Sequence, residues 1–262
     1  MLPQPTDGFD WVQAPAGPAL VCRALQPHAD HVFTTRHWTL GSARAPSDAE
    51  WQPVASALGV DLAHLVRVRQ VHGHAVVVHR GGDTAARPDA DVILSADPSA
   101  ALAIQAADCV PLLIADVRVG AVAAAHAGWR GLASRVPAVA VEALAREFGS
   151  RPRDLVAAIG PSISAARYEV GADVRERFAN ARFSAEHLSR WFLPGGRPVH
   201  WYFDGGVAAR DQLEGAGVPA VQVHVAGLCT ASHPTVLCSY RRDGRGAGRI
   251  AAAIRARNPW RR

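Results

Sequence analysis

The architecture of this chain is indicated first by the stretch ALAIQAADCVPLLIADVRVGAVAAAHAGWRG, residues 101–131. Short apolar runs alternate in it with polar or turn residues, and this spacing predicts three consecutive β-strands. The runs cover residues 101–106, 110–116 and 119–126. The last run ends abruptly at His126, and glycines, an aromatic and a guanidinium follow before a helical pattern begins at residue 132. A strand that ends in this way is a candidate position for a functional site.

The rest of the chain continues this mixture of short strands and longer helices. Further strands are predicted at residues 74–79, 91–95, 155–160 and 218–225. Helices are predicted at residues 132–148, 169–180, 204–216 and 246–257, with Asp204 as a helix cap. Because the strands cluster and the helices between them are few, the pattern indicates an α+β fold. We see neither an internal repeat nor a linker that could divide domains, so one domain over residues 1–262 is predicted.

The composition fits a globular protein with a substantial core, since 49% of the 262 residues are hydrophobic and 19% are charged. All 28 basic residues are arginine and are spread along the chain, so the net charge of +5 is weak evidence for a nucleic-acid partner. The four cysteines form no CxxC pair, and we find neither a secretory signal nor a membrane-spanning run. A cytoplasmic protein with reduced thiols is therefore predicted, with no nucleic-acid, membrane or obligate protein partner.

The segment around His126 has features of an anion-binding site. Gly128 and Gly131 allow a ligand to approach the backbone closely, and the following helix offers unpaired N–H groups at its N-terminus. Arg130 adds a two-pronged donor for a carboxylate or a phosphate. The alternative is that His126 and Trp129 only close the end of the core.

Two more segments carry reactive side chains at predicted strand ends. Asp108 and Cys109 lie between two strongly apolar runs, where a charged residue is costly without a partner. His72 lies in a turn before the strand at 74–79. Together, His72, Cys109 and His126 form a donor set typical of catalytic zinc with one open position. The same residues also fit a metal-free cysteine nucleophile with a histidine base, or plain core and rim positions.

Other polar residues follow predicted strands and could contact a ligand. Ser162, Tyr168 and Glu169 follow a Gly-Pro turn, where they could equally serve turn formation and helix capping. Arg241 and Arg242 stand beside Tyr240, and adjacent arginines can clamp an anion or remain ordinary solvated charges.

In this order, several motifs resemble one bacterial and animal family, long labelled polyphenol oxidase or multicopper laccase-like and now regarded as zinc-dependent purine nucleoside phosphorylases. The motifs are HVFTTR (31–36), RQVHG (69–73), ADCVPLL (107–113), AHAGWRG (125–131), IGPSIS with YEVG (159–171), LCT (228–230) and SYRRDG with GR (239–249). The resemblance implies a layered α/β/β/α arrangement around mixed sheets and a Zn²⁺ ion held by His72, Cys109 and His126.

The implied activity is phosphorolysis of adenosine, inosine and methylthioadenosine, with deamination of adenosine as a related reaction. Purine nucleosides and phosphate are then the small-molecule partners. We expect catalytic roles for Asp108, Cys109, Arg130 and Glu169. We expect substrate contacts from Arg36, Gln70, Trp129, Ser162, Tyr240, Arg241 and Arg242.

The chain departs from the family pattern in three places. Residues 37–52 lack the usual Gly-Gly-Ser-type loop and Asn-Leu pair, Cys238 replaces an aromatic residue, and residues 204–210 lack the usual Asp-Leu and Asn. The three metal ligands are complete, so these changes concern the walls of the nucleoside pocket.

Three other functions remain as alternatives. Multicopper oxidation needs many histidines in paired HxH motifs, and the chain has one such motif, at residues 72–74. An amidase that edits peptidoglycan precursors could use zinc or a Cys109–His126 pair. A metal-stabilised partner protein without activity would leave the charge of Asp108 unused.

Overall fold

The structure is a computed structural model that describes residues 1–41, 47–82 and 87–257. In chain order, the strands are β1 Phe9–Ala14, β2 Gly17–Cys22, β3 Ala29–Thr34, β4 Leu65–Arg67, β5 Val76–His79, β6 Val92–Ser95, β7 Ala101–Ala106, β8 Val110–Asp116, β9 Val122–Ala127, β10 Leu155–Ile159, β11 Glu169–Gly171, β12 Phe192–Pro194, β13 His200–Phe203, β14 Val223–Val225 and β15 Ile250–Ala256. The α-helices are α1 Gln52–Ala57, α2 Trp129–Ala133, α3 Val136–Phe148, α4 Ala172–Asn180, α5 Ala185–Trp191, α6 Gly205–Gly215 and α7 Tyr240–Asp243.

The strands form two large mixed sheets and a small one. The first sheet has the order β1-β2-β3-β15-β7-β4, and the second has the order β14-β10-β8-β9-β6-β5. In each, most pairs are antiparallel and the parallel pairs lie at the edges: β4 with β7 in the first sheet, and β5 with β6 and β10 with β14 in the second. The third sheet, β11-β13-β12, lies beside α4 and α5 in the chain. The α+β class is confirmed.

The large sheets are buried on both faces, which explains why their strands read as continuous apolar runs. In β7, Leu102 belongs to the core between the two sheets, whereas Ala103 faces a second core with Trp51 and α1. In β8, Leu113 joins the core between the sheets, and Leu112 packs with residues of α3 and α6. Three cores between four layers give the expected α/β/β/α arrangement.

One predicted helix is wrong, because residues 246–257 contain β15. This strand lies in the middle of the first sheet, paired with β3 on one side and β7 on the other. Its alanine-rich sequence favours a helix by local propensity. Its residues nevertheless alternate between two cores, with Ile254 in one and Ala253 in the other. Burial on both faces outweighs the local preference.

Smaller differences concern the ends of elements. The helix predicted at 132–148 is two helices, α2 and α3, separated at Arg135, which has a left-handed φ of 61°. The helix predicted at 169–180 begins with strand β11, and the first half of the strand predicted at 218–225 contains a short 3₁₀ turn before β14. The cap at Asp204 is confirmed, since its side chain accepts a hydrogen bond from Val207 N at 2.9 Å. None of the helices in the described residues combines the length and the hydropathy of a membrane-spanning segment.

Candidate metal centre and active site

Three potential metal ligands meet where the two large sheets come together. The ligand atoms of His72, Cys109 and His126 all lie within 4.8 Å of one another. His126 is the fifth residue of β9, and β8 pairs with it in a register that places Pro111 opposite His126. Cys109 directly precedes β8, so the pairing of these strands brings the thiol to the imidazole. His72 reaches them from the loop that follows β4.

A buried carboxylate, that of Asp91, supports this group of ligands. Asp91 is fully buried, and its Oδ1 lies 2.8 Å from Nδ1 of His126. The same side chain accepts hydrogen bonds from the backbone N–H groups of His72 at 3.1 Å and Gly73 at 2.6 Å. A carboxylate only accepts, so Nδ1 of His126 donates, and in the neutral imidazole Nε2 is the nitrogen with the free lone pair. Such carboxylate–histidine pairs are typical of metal sites.

Electrostatics favour the ionised form of the cysteine. Burial raises the pKa of the Cys109 thiol, but the imidazoles of His126 and His72 outweigh this effect, and the pKa lies below its usual value. Burial lowers the pKa of His126, but the Cys109 thiolate and the Asp91 carboxylate outweigh it and raise the pKa. Burial raises the pKa of Asp91, but hydrogen bonds from His126 and Gly73 keep it below its usual range. The thiolate is the form that binds a metal.

The backbone beside the ligands leaves room for an ion. A Cβ atom at Gly128 would lie 3.0 Å from both Cys109 Sγ and His72 Cδ2, so a larger residue would fill the space beside the two ligands. The rings of His72 and His126 lie edge to face with centroids 4.9 Å apart. Zinc bonds to thiolate and imidazole are about 2.0–2.3 Å long, and the three ligand atoms are close enough together to hold one ion. The residues present therefore fit a metal ion.

A cavity of about 520 Å³ opens above the three ligands. Its walls include the aromatic side chains of Trp129 and Tyr240 and the cationic side chain of Arg130. The Arg130 guanidinium lies 4.2 Å from the centroid of the Trp129 ring, and that of Arg241 lies 4.8 Å from the centroid of Tyr168. This stacking fixes the two cations beside the cavity.

Some of the predicted site residues line this cavity and others do not. The predicted residues at the cavity are Gln70, His72, Asp108, Cys109, His126, Trp129, Arg130, Tyr240 and Arg241. Gln70 exchanges two hydrogen bonds of 2.8 Å with the backbone of Gln105. The carboxylate of Asp108 accepts hydrogen bonds of 2.6 Å from Thr230 Oγ1 and from the backbone N–H of Arg241.

Four predicted residues are absent from the lining of this cavity. The Glu169 carboxylate forms an ion pair with Arg197 at 2.7 Å, which lowers its pKa. Arg242 donates to the carbonyl groups of Thr230 and Leu237 and therefore supports the loops around it. Arg36 donates to the carbonyl group of Pro234. Ser162 lines a separate cavity of about 320 Å³.

Two residues at the site were missed by sequence reasoning. Asp91 stands at the start of a predicted strand, and a carboxylate directly before the apolar residues of β6 was the available signal. Arg249 lines the cavity from the segment before β15, which the sequence pattern predicts as part of a helix.

Of the departures from the family pattern, Cys238 is buried with 4% exposure, and part of residues 37–52 lies outside the described residues.

This chain is similar in sequence and in fold to known proteins. The family model described as "Multi-copper polyphenol oxidoreductase laccase" matches residues 39–257. A purine nucleoside phosphorylase of Deinococcus radiodurans is 40% identical over 204 residues, which cover 77% of this chain and 74% of that protein. A protein from an unknown prokaryotic organism, named adenosine deaminase RL5, is 34% identical over 209 residues, which cover 77% of this chain and 78% of that protein. The crystal structure of the hypothetical protein YfiH of Bacillus licheniformis matches with a TM-score of 0.86 at 28% identity, over 96% of this chain and all of that one.

Fold and site together define a layered α+β protein with a three-ligand candidate metal centre in a cavity. The chain belongs to the family described as multi-copper polyphenol oxidoreductase laccase. Relatives of similar sequence carry the names purine nucleoside phosphorylase and adenosine deaminase.

Proposed function

We propose that this protein is a cytoplasmic, zinc-dependent purine nucleoside phosphorylase. It would split adenosine and inosine with phosphate into the free base and ribose 1-phosphate, and methylthioadenosine in the corresponding way. The observation that carries the proposal is that His72, Cys109 and His126 share one cavity with arginine and aromatic side chains. The names of the relatives support the choice of substrate.

Zinc is a better occupant of this centre than a set of coppers. Among the residues that the structure describes, His72, Cys109 and His126 form the one group of three or more His, Cys, Asp or Glu side chains close enough to hold an ion. Two imidazoles and one thiolate suit a mononuclear site with an open position. When bound, the ion would act as a Lewis acid on a substrate oxygen or a water molecule.

The side chains around the centre have separate tasks in phosphorolysis. Arg130 and Arg241 would neutralise and orient the attacking phosphate, since guanidinium groups match phosphate oxygens in pairs. Trp129 and Tyr240 would stack on the purine ring, which has the flat shape that aromatic side chains hold best. Of the two predicted carboxylic acids, Asp108 is the one at the cavity and Glu169 faces Arg197.

Adenosine deamination is a second candidate, favoured by the relative named adenosine deaminase. It needs water instead of phosphate at the open position of the same centre. The two reactions therefore differ in their requirement for phosphate and in their products.

The deciding experiment incubates the purified protein with adenosine, with and without phosphate. Phosphorolysis predicts adenine and ribose 1-phosphate only when phosphate is present, and deamination predicts inosine in both cases. Cys109→Ala should abolish the reaction, whereas Cys22→Ala, a matched change of a buried cysteine in β2, should leave it intact. Absence of nucleoside turnover, combined with release of an amino acid from a peptidoglycan precursor, would replace this proposal with the amidase alternative.

A further inference from the structure

Asp91 contacts both histidine ligands through one buried carboxylate, although they lie on different segments of the chain. Its side chain is completely buried, at the end of the second sheet. It accepts from the imidazole of His126 at 2.8 Å and from the backbone N–H groups of Val71, His72 and Gly73 at 3.3, 3.1 and 2.6 Å. Its backbone carbonyl also accepts from His126 N at 2.8 Å.

We propose that Asp91 is the positioning residue of the metal centre, which sets the geometry of His72 and the tautomer of His126 at the same time. The inference rests on the metal site of the proposed function and adds the residue that assembles it. Asp91 does not touch the substrate in this proposal and acts only through the two ligands.

The first half of this role concerns the loop of His72. His72 has a φ of 59°, which L-residues adopt infrequently. Three successive N–H groups converge on the Asp91 carboxylate and stabilise this conformation, which places the His72 imidazole beside Cys109 and His126. His72 is otherwise exposed, which makes the carboxylate the anchor that orders it.

The second half concerns the tautomer of His126. The carboxylate requires a proton on Nδ1, so in the neutral imidazole, the form that binds a metal, Nε2 is the unprotonated nitrogen. An asparagine at position 91 cannot satisfy all these contacts. If its oxygen takes the place of Oδ2 and accepts from Val71 and Gly73, its NH₂ group opposes the N–H of His72 and faces Nδ1 of His126. That arrangement favours the other tautomer, in which Nε2 carries the proton. If it is turned round, its NH₂ group opposes the N–H group of Gly73.

The test compares Asp91→Asn with Asp116→Asn. Asp116 is a matched control, because it is also a buried aspartate at a strand end and accepts backbone N–H groups, those of Arg118 at 2.7 Å and Val119 at 3.0 Å. Both substitutions remove a buried charge, but only the first contacts metal ligands. We expect Asp91→Asn to weaken zinc binding by about 10–100-fold in competition with a chelator, and Asp116→Asn to leave it within about twofold.

Substitution with cobalt(II) gives a readout that a loss of stability alone would not change. The thiolate-to-cobalt absorption of wild type and Asp116→Asn should coincide, whereas Asp91→Asn should show a weaker, shifted band. If Asp91→Asn does not fold, Asp91→Glu, which keeps the charge but moves it by one methylene, should show the same weakening of zinc binding.

Two results would overturn the inference: equal zinc affinity of Asp91→Asn and wild type, or equal losses in Asp91→Asn and Asp116→Asn. A wild-type protein that binds zinc through these ligands but acts on no purine nucleoside would overturn the proposed function and leave the role of Asp91 intact. The two proposals are therefore tested separately.

Discussion

The carboxylate of Asp108 accepts a hydrogen bond of 2.6 Å from the backbone N–H of Arg241, which ties α7 to the loop that carries the Cys109 ligand. A second hydrogen bond, from Thr230 Oγ1, also measures 2.6 Å. Asp108 adopts a φ of 91°, so the loop holds this contact in a conformation that is unusual for a non-glycine residue. Because both oxygens of the carboxylate accept hydrogen bonds, Asp108 is suited to positioning Tyr240 and Arg241 over the cavity.

A positioning role for Asp108 makes a kinetic prediction. Asp108→Ala should raise KM for phosphate about tenfold or more with a smaller effect on kcat, because a charge-assisted hydrogen bond of about 1.5–3 kcal/mol no longer holds Arg241. Thr230→Val, which removes one of the two hydrogen bonds, should change KM in the same direction but less. A general acid would behave differently: Asp108→Asn would lower kcat and remove one limb of the pH profile, while Thr230→Val would leave both unchanged.

The close approach of Gly128 to two ligands predicts that a larger side chain at this position weakens metal binding. Gly128→Ala should lower zinc affinity about tenfold or more, because the new Cβ lies 3.0 Å from Cys109 Sγ and from His72 Cδ2. The backbone itself tolerates alanine, since φ at Gly128 is −70°. Gly215→Ala, at the end of α6 with open space around its Cβ position, is the control and should bind zinc as wild type does. Unchanged affinity in Gly128→Ala would argue against a metal between these two ligands.

The position of the Arg130 guanidinium at the cavity predicts that its removal weakens phosphate binding. Arg130→Ala should lower kcat/KM for phosphate by about 10–100-fold, the effect of removing a charge-assisted interaction of about 1.5–3 kcal/mol. Arg130→Lys should recover only part of it, since lysine lacks the planar fork and its stacking on Trp129. Arg146→Ala, an exposed arginine on α3, serves as the control. If Arg130→Ala leaves the phosphate dependence unchanged, phosphate is bound elsewhere.

A buried histidine outside the site predicts how stability depends on pH. Burial lowers the pKa of His31 from 6.5 to about 4, while its Nε2 accepts from Cys22 N at 2.8 Å. Between these pKa values the unfolded chain binds the proton and the folded chain does not, so stability falls as the pH drops from 6.5 to 4. A shift of this size corresponds to about 3 kcal/mol of unfolding free energy.

Chemical denaturation at pH 7 and pH 4.5 measures this effect. His31→Gln should lose less stability between the two pH values than wild type, because the titrating group is gone. His64→Gln, at an exposed position, should keep the wild-type difference. Equal pH dependence in wild type and His31→Gln would rule out His31 as the source.

The central part of the fold could be predicted from sequence because its strands are apolar along their whole length. The runs at 101–106 and 110–116 coincide with β7 and β8. By contrast, the sequence pattern predicts no strands over the residues that form β1 to β3, and it predicts a helix over residues that form β15. In IAAAIRA, local preference and burial conflict, and only the neighbouring strands β3 and β7 decide between them.

The site was predictable to the extent that its residues interrupt apolar sequence. His126 and Cys109 stand out for this reason, and the structure brings both to His72. Asp91 has no comparable signal, since an aspartate before a strand is common at a turn, and its contacts reach His126 from 35 residues away. The ion pair between Glu169 and Arg197 could not be predicted from sequence either, because it joins β11 to a distant loop.

The metal content of the purified protein, measured by elemental analysis and by mass spectrometry under native conditions, is the simplest check of the three-ligand centre. We predict one zinc ion per chain in wild type, loss of the ion in His72→Ala, Cys109→Ala and His126→Ala, and loss of nucleoside turnover when a chelator removes it, with recovery on adding zinc. Zinc retained at full stoichiometry in Cys109→Ala, or full turnover by a zinc-free protein, would contradict this account.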